Sequence, residues 1–221
     1  MRTAALVLVL VSAVGTSLGQ NVDIPFESRI MDSLEGYSQL VKYQDAALCF
    51  PLNQTWFLLY RTNQYNEMFG GNNTCVRMGP RARSPMRNLG IDVKLAYSKD
   101  KRADIHIRFQ RSHSATSDRA NGMQVTYADD DNRVSQSISV IYSNCDECMV
   151  LKHVDSGDSH SCSLFAPASV VTPNYRPPPP QCEFIYLLLC GNTQYRIFGD
   201  CCKDDDEPPP YTDSPQLPGS L

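Results

Sequence analysis

Alternation of apolar and polar residues dominates the middle of the chain. In four runs between residues 91 and 142, apolar side chains occupy every second position and polar side chains lie between them. The apolar members are Ile91, Val93, Leu95 and Tyr97; Ile105, Ile107 and Phe109; Met123, Val125 and Tyr127; and Ile138, Val140 and Tyr142. Because successive side chains point to opposite faces of a strand, this period of two predicts an antiparallel sheet with one face toward solvent.

Further apolar runs flank these four. Trp56–Thr62 and Thr74–Met78 are interpreted as the first two strands. Residues 148–153 and 161–165, separated by a polar turn, predict a closing hairpin. About eight strands result, which predicts an all-β, up-and-down antiparallel barrel of the lipocalin kind with room for one small ligand. A two-sheet sandwich is the alternative.

Helical spacing appears on both sides of the sheet. In the N-terminal segment the spaced apolar residues are Ile30, Leu34, Tyr37 and Leu40, and Gln44–Ala47 is predicted to be a helical turn. On the C-terminal side, Pro177–Pro180 predicts an extended bridge, because proline cannot join a sheet interior. The apolar residues at 184, 185, 188 and 189 predict a helix near 181–190, packed outside the barrel. Gln194–Phe198 is predicted to form a short edge strand.

Both ends of the chain differ from this domain. Residues 1–19 combine a basic start, a short apolar run and small residues, which is typical of a secretory signal peptide. Residues 20–202 are the predicted barrel domain, and residues 203–221 are acidic, rich in proline and predicted to be disordered. We therefore expect a secreted, extracellular monomer without a membrane anchor.

The charge of the chain and its lack of catalytic motifs argue against several classes of function. The formal net charge is −4 and no basic block is present, which argues against nucleic-acid binding. The four histidines, His106, His113, His153 and His160, lack metal-ligand spacing, and no nucleophile or phosphate-loop motif occurs. We expect neither an enzyme nor a bound metal or cofactor.

Nine cysteines in an exported chain predict disulfides, with one cysteine left over. Cys145 and Cys148 form a C-x-x-C pair, which we interpret as structural rather than redox-active because the chain lacks the βαβ context of a redox motif. Asn53 and Asn72 begin glycosylation sequons and are predicted to lie on the surface.

Aromatic residues recur on the apolar side of the predicted strands. They are Trp56, Tyr60, Tyr97, Phe109, Tyr127 and Tyr142, and Phe165 joins them in the closing hairpin. On this side of a barrel they would line the ligand cavity, whereas plain core packing is the alternative. Most cations within the strands are expected on the surface, but one or two turned inward would suit a ligand carboxylate; they are Arg61, Arg77, Lys94, Arg108 and Lys152. Alternation places Lys94 and Arg108 outside, which argues against this role for them.

The order and spacing of several segments resemble the tick salivary lipocalins, which include histamine-binding proteins and binders of lipid mediators. The matching segments are Gln44-Asp45-Ala46 followed by Trp56–Thr62, Asn73-Thr74-Cys75-Val76, Ile141-Tyr142-Ser143, Cys148–Leu151, and Cys182 with the helix after it. The resemblance implies sequestration of a small host mediator, an amine or an eicosanoid. The alternative is a barrel whose loops capture a host protein. It also implies that Cys75 pairs with Cys201 or Cys202, and Cys148 or Cys145 with Cys182.

Three departures concern amine binding. Ala47 stands where the amine binders of this family have tryptophan, and Glu147 follows Asp146 where they have an aliphatic residue. Ser163 stands where they have a glutamate that faces the ligand. A buried ammonium without a carboxylate partner costs several kcal/mol. We therefore expect no tight two-site histamine binding, unless Asp92, Asp104 or Glu183 turns inward as a substitute.

Overall fold

The structure is a computed structural model. It describes residues 40–50, 52–79, 90–97, 101–111, 120–128, 133–156, 161–171, 177–199 and 202. The predicted signal peptide, the helical spacing of Ile30, Leu34 and Tyr37, and the predicted disordered tail lie outside these residues. Within the described part of the N-terminal segment, a 3₁₀ helix at Val41–Tyr43 is followed by a turn at 46–49.

Eight antiparallel strands form a closed barrel, and a ninth strand of two residues lies beside β1. The strands are β1 Trp56–Arg61, β2 Arg77–Gly79, β3 Gly90–Tyr97, β4 Lys101–Gln110, β5 Gly122–Ala128, β6 Arg133–Asn144, β7 Cys148–His153, β8 Cys162–Pro167 and β9 Tyr195–Arg196. Each strand from β2 to β8 pairs with the next, and β1 pairs with both β8 and β2. This closure confirms the predicted barrel and excludes the open two-sheet sandwich.

The second strand begins later than predicted. The apolar run predicted a strand at Thr74–Met78, whereas β2 covers only Arg77–Gly79. The reason is Cys75, which adopts a left-handed backbone conformation with φ 56° and is disulfide-bonded to Cys202. A left-handed residue cannot continue a strand, so regular pairing starts only after it.

Buried apolar residues form two clusters, one on each side of the barrel wall. The inner cluster lines the interior and includes Trp56, Leu58, Phe69, Leu95, Ile105, Ile107, Met123, Val125, Val140, Met149, Leu151 and Phe165. The outer cluster includes Phe57, Leu59, Tyr142, Cys148, Val150, Leu164, Cys182, Tyr186 and Leu189. Strands β1, β7 and β8 are therefore apolar on both faces. Helices contact the outer side of β7 and β8, and Phe198 of the C-terminal segment packs on Phe57 of β1.

Within the described residues, two α-helices lie on that outer side. The short α1 covers Ala168–Val171, and α2 covers Pro180–Cys190, starting at the last proline of the bridge. Proline is well tolerated in a first helical turn, since its missing N–H has no partner there anyway. The helix predicted near 181–190 and packed outside is confirmed.

The buried face of α2 differs from the predicted stripe. Its buried residues are Cys182, Tyr186, Leu189 and Cys190, whereas Phe184 and Leu188 are exposed. Two disulfides determine this rotation: Cys148–Cys182 joins α2 to β7, and Cys162–Cys190 joins it to β8. With both ends of the helix covalently attached to the wall, the face that carries the cysteines must be the buried one.

Four disulfides join residues that the structure describes. Besides the two on α2, Cys49–Cys145 ties the segment before β1 to the β6–β7 turn, and Cys75–Cys202 ties the C-terminal segment to the start of β2. Of the two partners expected for Cys75, Cys202 is therefore the correct one and Cys201 is not. Likewise Cys148, and not Cys145, pairs with Cys182. The ninth cysteine, Cys201, lies outside the described residues.

Candidate functional site

A β-bulge in β1 turns an arginine into the barrel. The pairing of β1 with β8 shifts between Leu58 and Tyr60, so that Leu59 and Tyr60 both face the outer cluster. A bulge inserts one extra residue and reverses the side on which the following side chains fall. As a result Arg61, which strict alternation places outside, points inward and is only 2% exposed.

The Arg61 guanidinium is only partly satisfied by hydrogen bonds. Its two terminal nitrogens donate to the backbone carbonyls of Phe69 at 3.2 Å and Gln64 at 2.6 Å. Its Nε is buried and has no hydrogen-bond partner among the described residues. Burial lowers the pKa of Arg61 from its ordinary value, but a guanidinium remains charged at neutral pH. One end of the interior therefore carries a positive charge with an unused donor.

His153 and Ser163 complete this polar end. The Nε2 of His153 lies 2.8 Å from Ser163 Oγ, and its Nδ1 lies 3.2 Å from Gln136 Oε1. Burial, together with the charge of Arg61, lowers the pKa of His153 to about 4. The ring is therefore neutral at pH 7. If Nδ1 donates to the Gln136 carbonyl oxygen, Nε2 accepts from the Ser163 hydroxyl. We call Arg61, His153 and Ser163 the polar end of the barrel.

The segment after β1 crosses this end. Phe69 packs edge-on against His153 and Phe165, with ring centroids 5.5 and 5.2 Å away. Its backbone amide donates to Asn66 Oδ1, and Asn66 also forms a bridge with Gly71. Gly70, at φ 81°, allows the segment to approach the wall closely, because a Cβ there would lie 2.9 Å from Val76. Phe69 therefore covers the polar end, and its backbone carbonyl accepts a hydrogen bond from the inward Arg61.

The opposite end of the barrel is apolar. Phe50, from the segment before β1, packs on Phe109 with ring centroids 5.7 Å apart. The Cys49–Cys145 disulfide fixes that segment to the barrel wall. Trp56 lies in the inner cluster near this end and is only 1% exposed. Its indole Nε1 has no hydrogen-bond partner.

Among the described residues, no buried side chain is acidic. The buried charged and polar residues are Gln44, Arg61, Thr62, Arg77, Asn121, Ser139, Ser143, His153, Ser161 and Ser163. The three carboxylates considered as substitutes for the missing glutamate lie elsewhere: Asp92 contacts His106 at 2.9 Å on the outer face, Asp104 is exposed, and Glu183 is on α2. The described interior thus contains a cation without a counterion.

The structure separates the predicted lining residues into two groups. Trp56, Phe109 and Phe165 belong to or pack on the inner cluster, as do the partly accessible Tyr97 and Tyr127 near the polar end. Tyr60 and Tyr142 are on the outer face, so their prediction as lining residues is wrong. The reason is the same for both: a bulge lies just before Tyr60 in β1, and a second bulge between Val140 and Tyr142 in β6.

Several inward residues were not among the predicted lining set. His153 and Ser163 are the main ones, and four methionines, Met68, Met78, Met123 and Met149, also belong to the inner cluster. The alternation of β7 contains the signal for His153, since Met149 and Leu151 share its side of the strand. Methionine side chains are flexible and polarisable, so they adapt to ligands of irregular shape.

The remaining predicted sites lie on the surface. Asn53 and Asn72, the acceptors of the two sequons, are exposed. A shallow groove of about 330 Å³ on the outer face is lined by Asp92, Asp104, Ile105, His106, Thr126 and Arg133. No group of three metal-ligating side chains occurs within the described residues. None of the helices in the described ranges has the length and apolarity needed to cross a bilayer.

A closed eight-stranded antiparallel barrel with a helix packed outside defines a lipocalin-like fold. The model of a family described as tick histamine binding protein matches residues 35–204, which is more than half of the chain. The chain therefore belongs to the tick histamine binding protein family.

Other comparisons add little to this assignment. No curated protein matches the chain. Among solved structures, the chain is similar to the crystal structure of an AM182 serotonin complex, with 11% identity and a TM-score of 0.47. The match covers 78% of this chain and 91% of that one. A likeness of this degree says nothing about the ligand of this chain.

Proposed function

We propose that this protein sequesters a small mediator inside its barrel, and that the preferred mediator is a lipid with a carboxylate head group. The observation that supports this choice is the inward Arg61, which has an unpartnered Nε in an interior where no described side chain is a buried acid. Charge-assisted hydrogen bonds from arginine to carboxylate are among the strongest available to a ligand.

The same charge disfavours an amine at this end. An ammonium about 8 Å from a guanidinium is repelled by roughly 2 kcal/mol at an effective dielectric constant near 20, and a carboxylate is attracted by a similar amount. Ser163, which stands in place of the glutamate of the amine binders, is hydrogen-bonded to His153 and provides no negative charge. An acid should therefore be preferred over an amine of comparable apolar area.

The rest of the interior suits an apolar chain. Aliphatic, aromatic and methionine side chains line the wall between Trp56 and Arg61. Burying a hydrocarbon chain among them contributes about 25 cal/mol per Å². An apolar chain also avoids the desolvation cost that an ammonium meets there.

A biogenic amine such as histamine or serotonin is the second candidate, because the family is named for histamine binding. One described carboxylate favours it: Asp45 is half-buried next to Ala46, a residue of the inner cluster at the apolar end. Its Oδ1 accepts a hydrogen bond from the Ala47 amide at 3.0 Å. An amine bound at that end would depend on Asp45, whereas an acid would depend on Arg61.

We further propose that the protein acts outside the cell as a binding protein without turnover. Four disulfides are typical of chains that fold in an oxidising compartment. The exposed Asn53 and Asn72 are available for glycosylation there.

Calorimetric titration with arachidonic acid and with its methyl ester tests the proposal. The acid should bind the unmodified protein at least tenfold more tightly than the ester, because only the acid is charged. In Arg61→Gln this ratio should fall toward one. Arg108→Gln is the matched control, because Arg108 is exposed on the outer face of β4, and it should leave the ratio unchanged. Equal binding of acid and ester to the unmodified protein would contradict the proposal without any variant.

A further inference from the structure

The indole of Trp56 has a hydrogen-bond donor that no described residue accepts. The side chain is 1% exposed and its Nε1 has no partner. Buried indole N–H groups usually find a partner, because leaving one unpaired costs most of its hydration free energy. A rigid, inward donor in the interior of a binding protein is therefore a candidate contact for a ligand.

Trp56 and Arg61 lie on the same strand and point into the same interior. Leu58 is the inward residue between them, and the bulge after it restores Arg61 to the inner side. Five residues of extended chain span roughly 16 Å, somewhat less across a bulge. The two unpartnered donors, Trp56 Nε1 and Arg61 Nε, therefore lie near opposite ends of one strand.

The surroundings of the two donors differ. Arg61 is accompanied by His153 and Ser163, which are polar. Trp56 is accompanied by apolar members of the inner cluster, among them its strand partner Met78. A charged head group suits the first environment. A single uncharged oxygen suits the second, because one neutral donor satisfies it and no charge has to be desolvated.

We propose that Trp56 Nε1–H is a second ligand contact, and that the ligand is an elongated acid with a hydroxyl or carbonyl oxygen toward the end far from its carboxylate. This inference rests on the proposed function, since Arg61 must hold the carboxylate for the second oxygen to reach Trp56. It makes Trp56 a specificity-determining residue, which distinguishes oxygenated fatty acids from plain ones.

The affinity test compares arachidonic acid with monohydroxy derivatives that have the hydroxyl either near the carboxylate or in the distal half of the chain. The unmodified protein should bind the distal hydroxy acid about tenfold more tightly than arachidonic acid, the value of one hydrogen bond to a buried donor. The proximal isomer should gain nothing. In Trp56→Phe the advantage of the distal isomer should disappear, while any loss from the smaller ring affects all three acids alike. Tyr60→Phe, on the outer face, is the control and should keep the advantage.

A second measurement needs no variant. The chain contains one tryptophan, so a ¹⁵N-labelled sample gives one indole N–H resonance. The distal hydroxy acid should move this proton downfield relative to its position with arachidonic acid bound. Identical indole shifts and equal affinities for the two acids would overturn the inference and leave the proposed function standing. Failure of all three acids to bind would instead contradict the proposed function itself, and the inference with it.

Discussion

Acidification should destabilise this protein through His153. The side chain is 1% exposed, hydrogen-bonded to Ser163 and near the charge of Arg61. Burial and that charge together lower its pKa from 6.5 to about 4 in the folded state. The unfolded chain therefore takes up a proton at this residue between pH 6.5 and pH 4, and the folded chain does not.

The magnitude follows from the difference between the two pKa values. Stability rises with pH wherever the unfolded state binds more protons. A shift from 6.5 to about 4 therefore contributes about 3 kcal/mol of stability, at 1.36 kcal/mol for each pKa unit. This contribution is fully present above pH 6.5, is lost as the pH falls, and has gone once the pH is below about 4.

The assay is urea unfolding at pH steps from 8 to 4, with the unmodified protein and with His153→Gln. The variant loses hydrogen bonds and should be less stable at pH 8, but its free energy of unfolding should fall less on acidification. His106→Gln is the matched control, because it is the same substitution at a histidine that is 47% exposed on the outer face. Carboxylates also titrate in this range, so the informative quantity is the difference between the curves of the protein and its variant. Parallel curves for the unmodified protein and His153→Gln would refute the reasoning.

Three further substitutions test other parts of the structure. Ser163→Glu places a carboxylate opposite Arg61, which is its pairing partner across β1 and β8. Calorimetry should show at least a tenfold loss of arachidonic acid affinity and a gain in histamine affinity. An unchanged acid affinity would count against the proposed polar end. Phe69→Ala removes a fully buried ring from the polar end and should lower the free energy of unfolding by about 3 kcal/mol. It should also speed ligand association in stopped-flow fluorescence. Slower association would argue that Phe69 does not obstruct ligand entry. Gly90→Ala brings a Cβ within 2.9 Å of the backbone carbonyl oxygen of Ile107, besides the exposed His106 ring at 2.6 Å. The ring can move aside but the backbone cannot, so the protein should be destabilised by about 1–3 kcal/mol, and an unchanged urea midpoint would disprove the backbone contact.

The barrel was predictable because its signal is repeated. Four consecutive runs with a period of two specify the strands, and the first three also specify the inner face, because the register of β3, β4 and β5 has no shift. In these strands every predicted inward aromatic residue, Tyr97, Phe109 and Tyr127, lies with the inner cluster. Alternation alone is sufficient where pairing is regular.

The prediction of inward side chains from alternation was wrong at the two bulges. A bulge adds one residue without changing the composition of a strand, so Leu59-Tyr60 and Ile141-Tyr142 look like ordinary alternating pairs in the sequence. In both pairs the two residues face outward together. The functional consequence is large, because the inward Arg61 depends on the bulge in β1.

The buried face of α2 was not predictable from hydrophobicity. The helix is apolar around most of its circumference, so several stripes fit a period of 3.6 equally well. The choice among them is made by Cys182 and Cys190, whose partners on β7 and β8 cannot be deduced from spacing. Phe184 and Leu188 are exposed as a result.

Parallel titration of the unmodified protein with leukotriene B4 and with histamine, under the same conditions at pH 7, tests the central claim most directly. An interior that contains the buried Arg61 and no buried acid among the described residues predicts that the acid binds at least a hundredfold more tightly, since about 4 kcal/mol separates attraction from repulsion at Arg61. The acid should also compete fully for the barrel when histamine is present. Tighter binding of histamine than of the leukotriene, abolished by Asp45→Asn and unaffected by Arg61→Gln, would contradict the account.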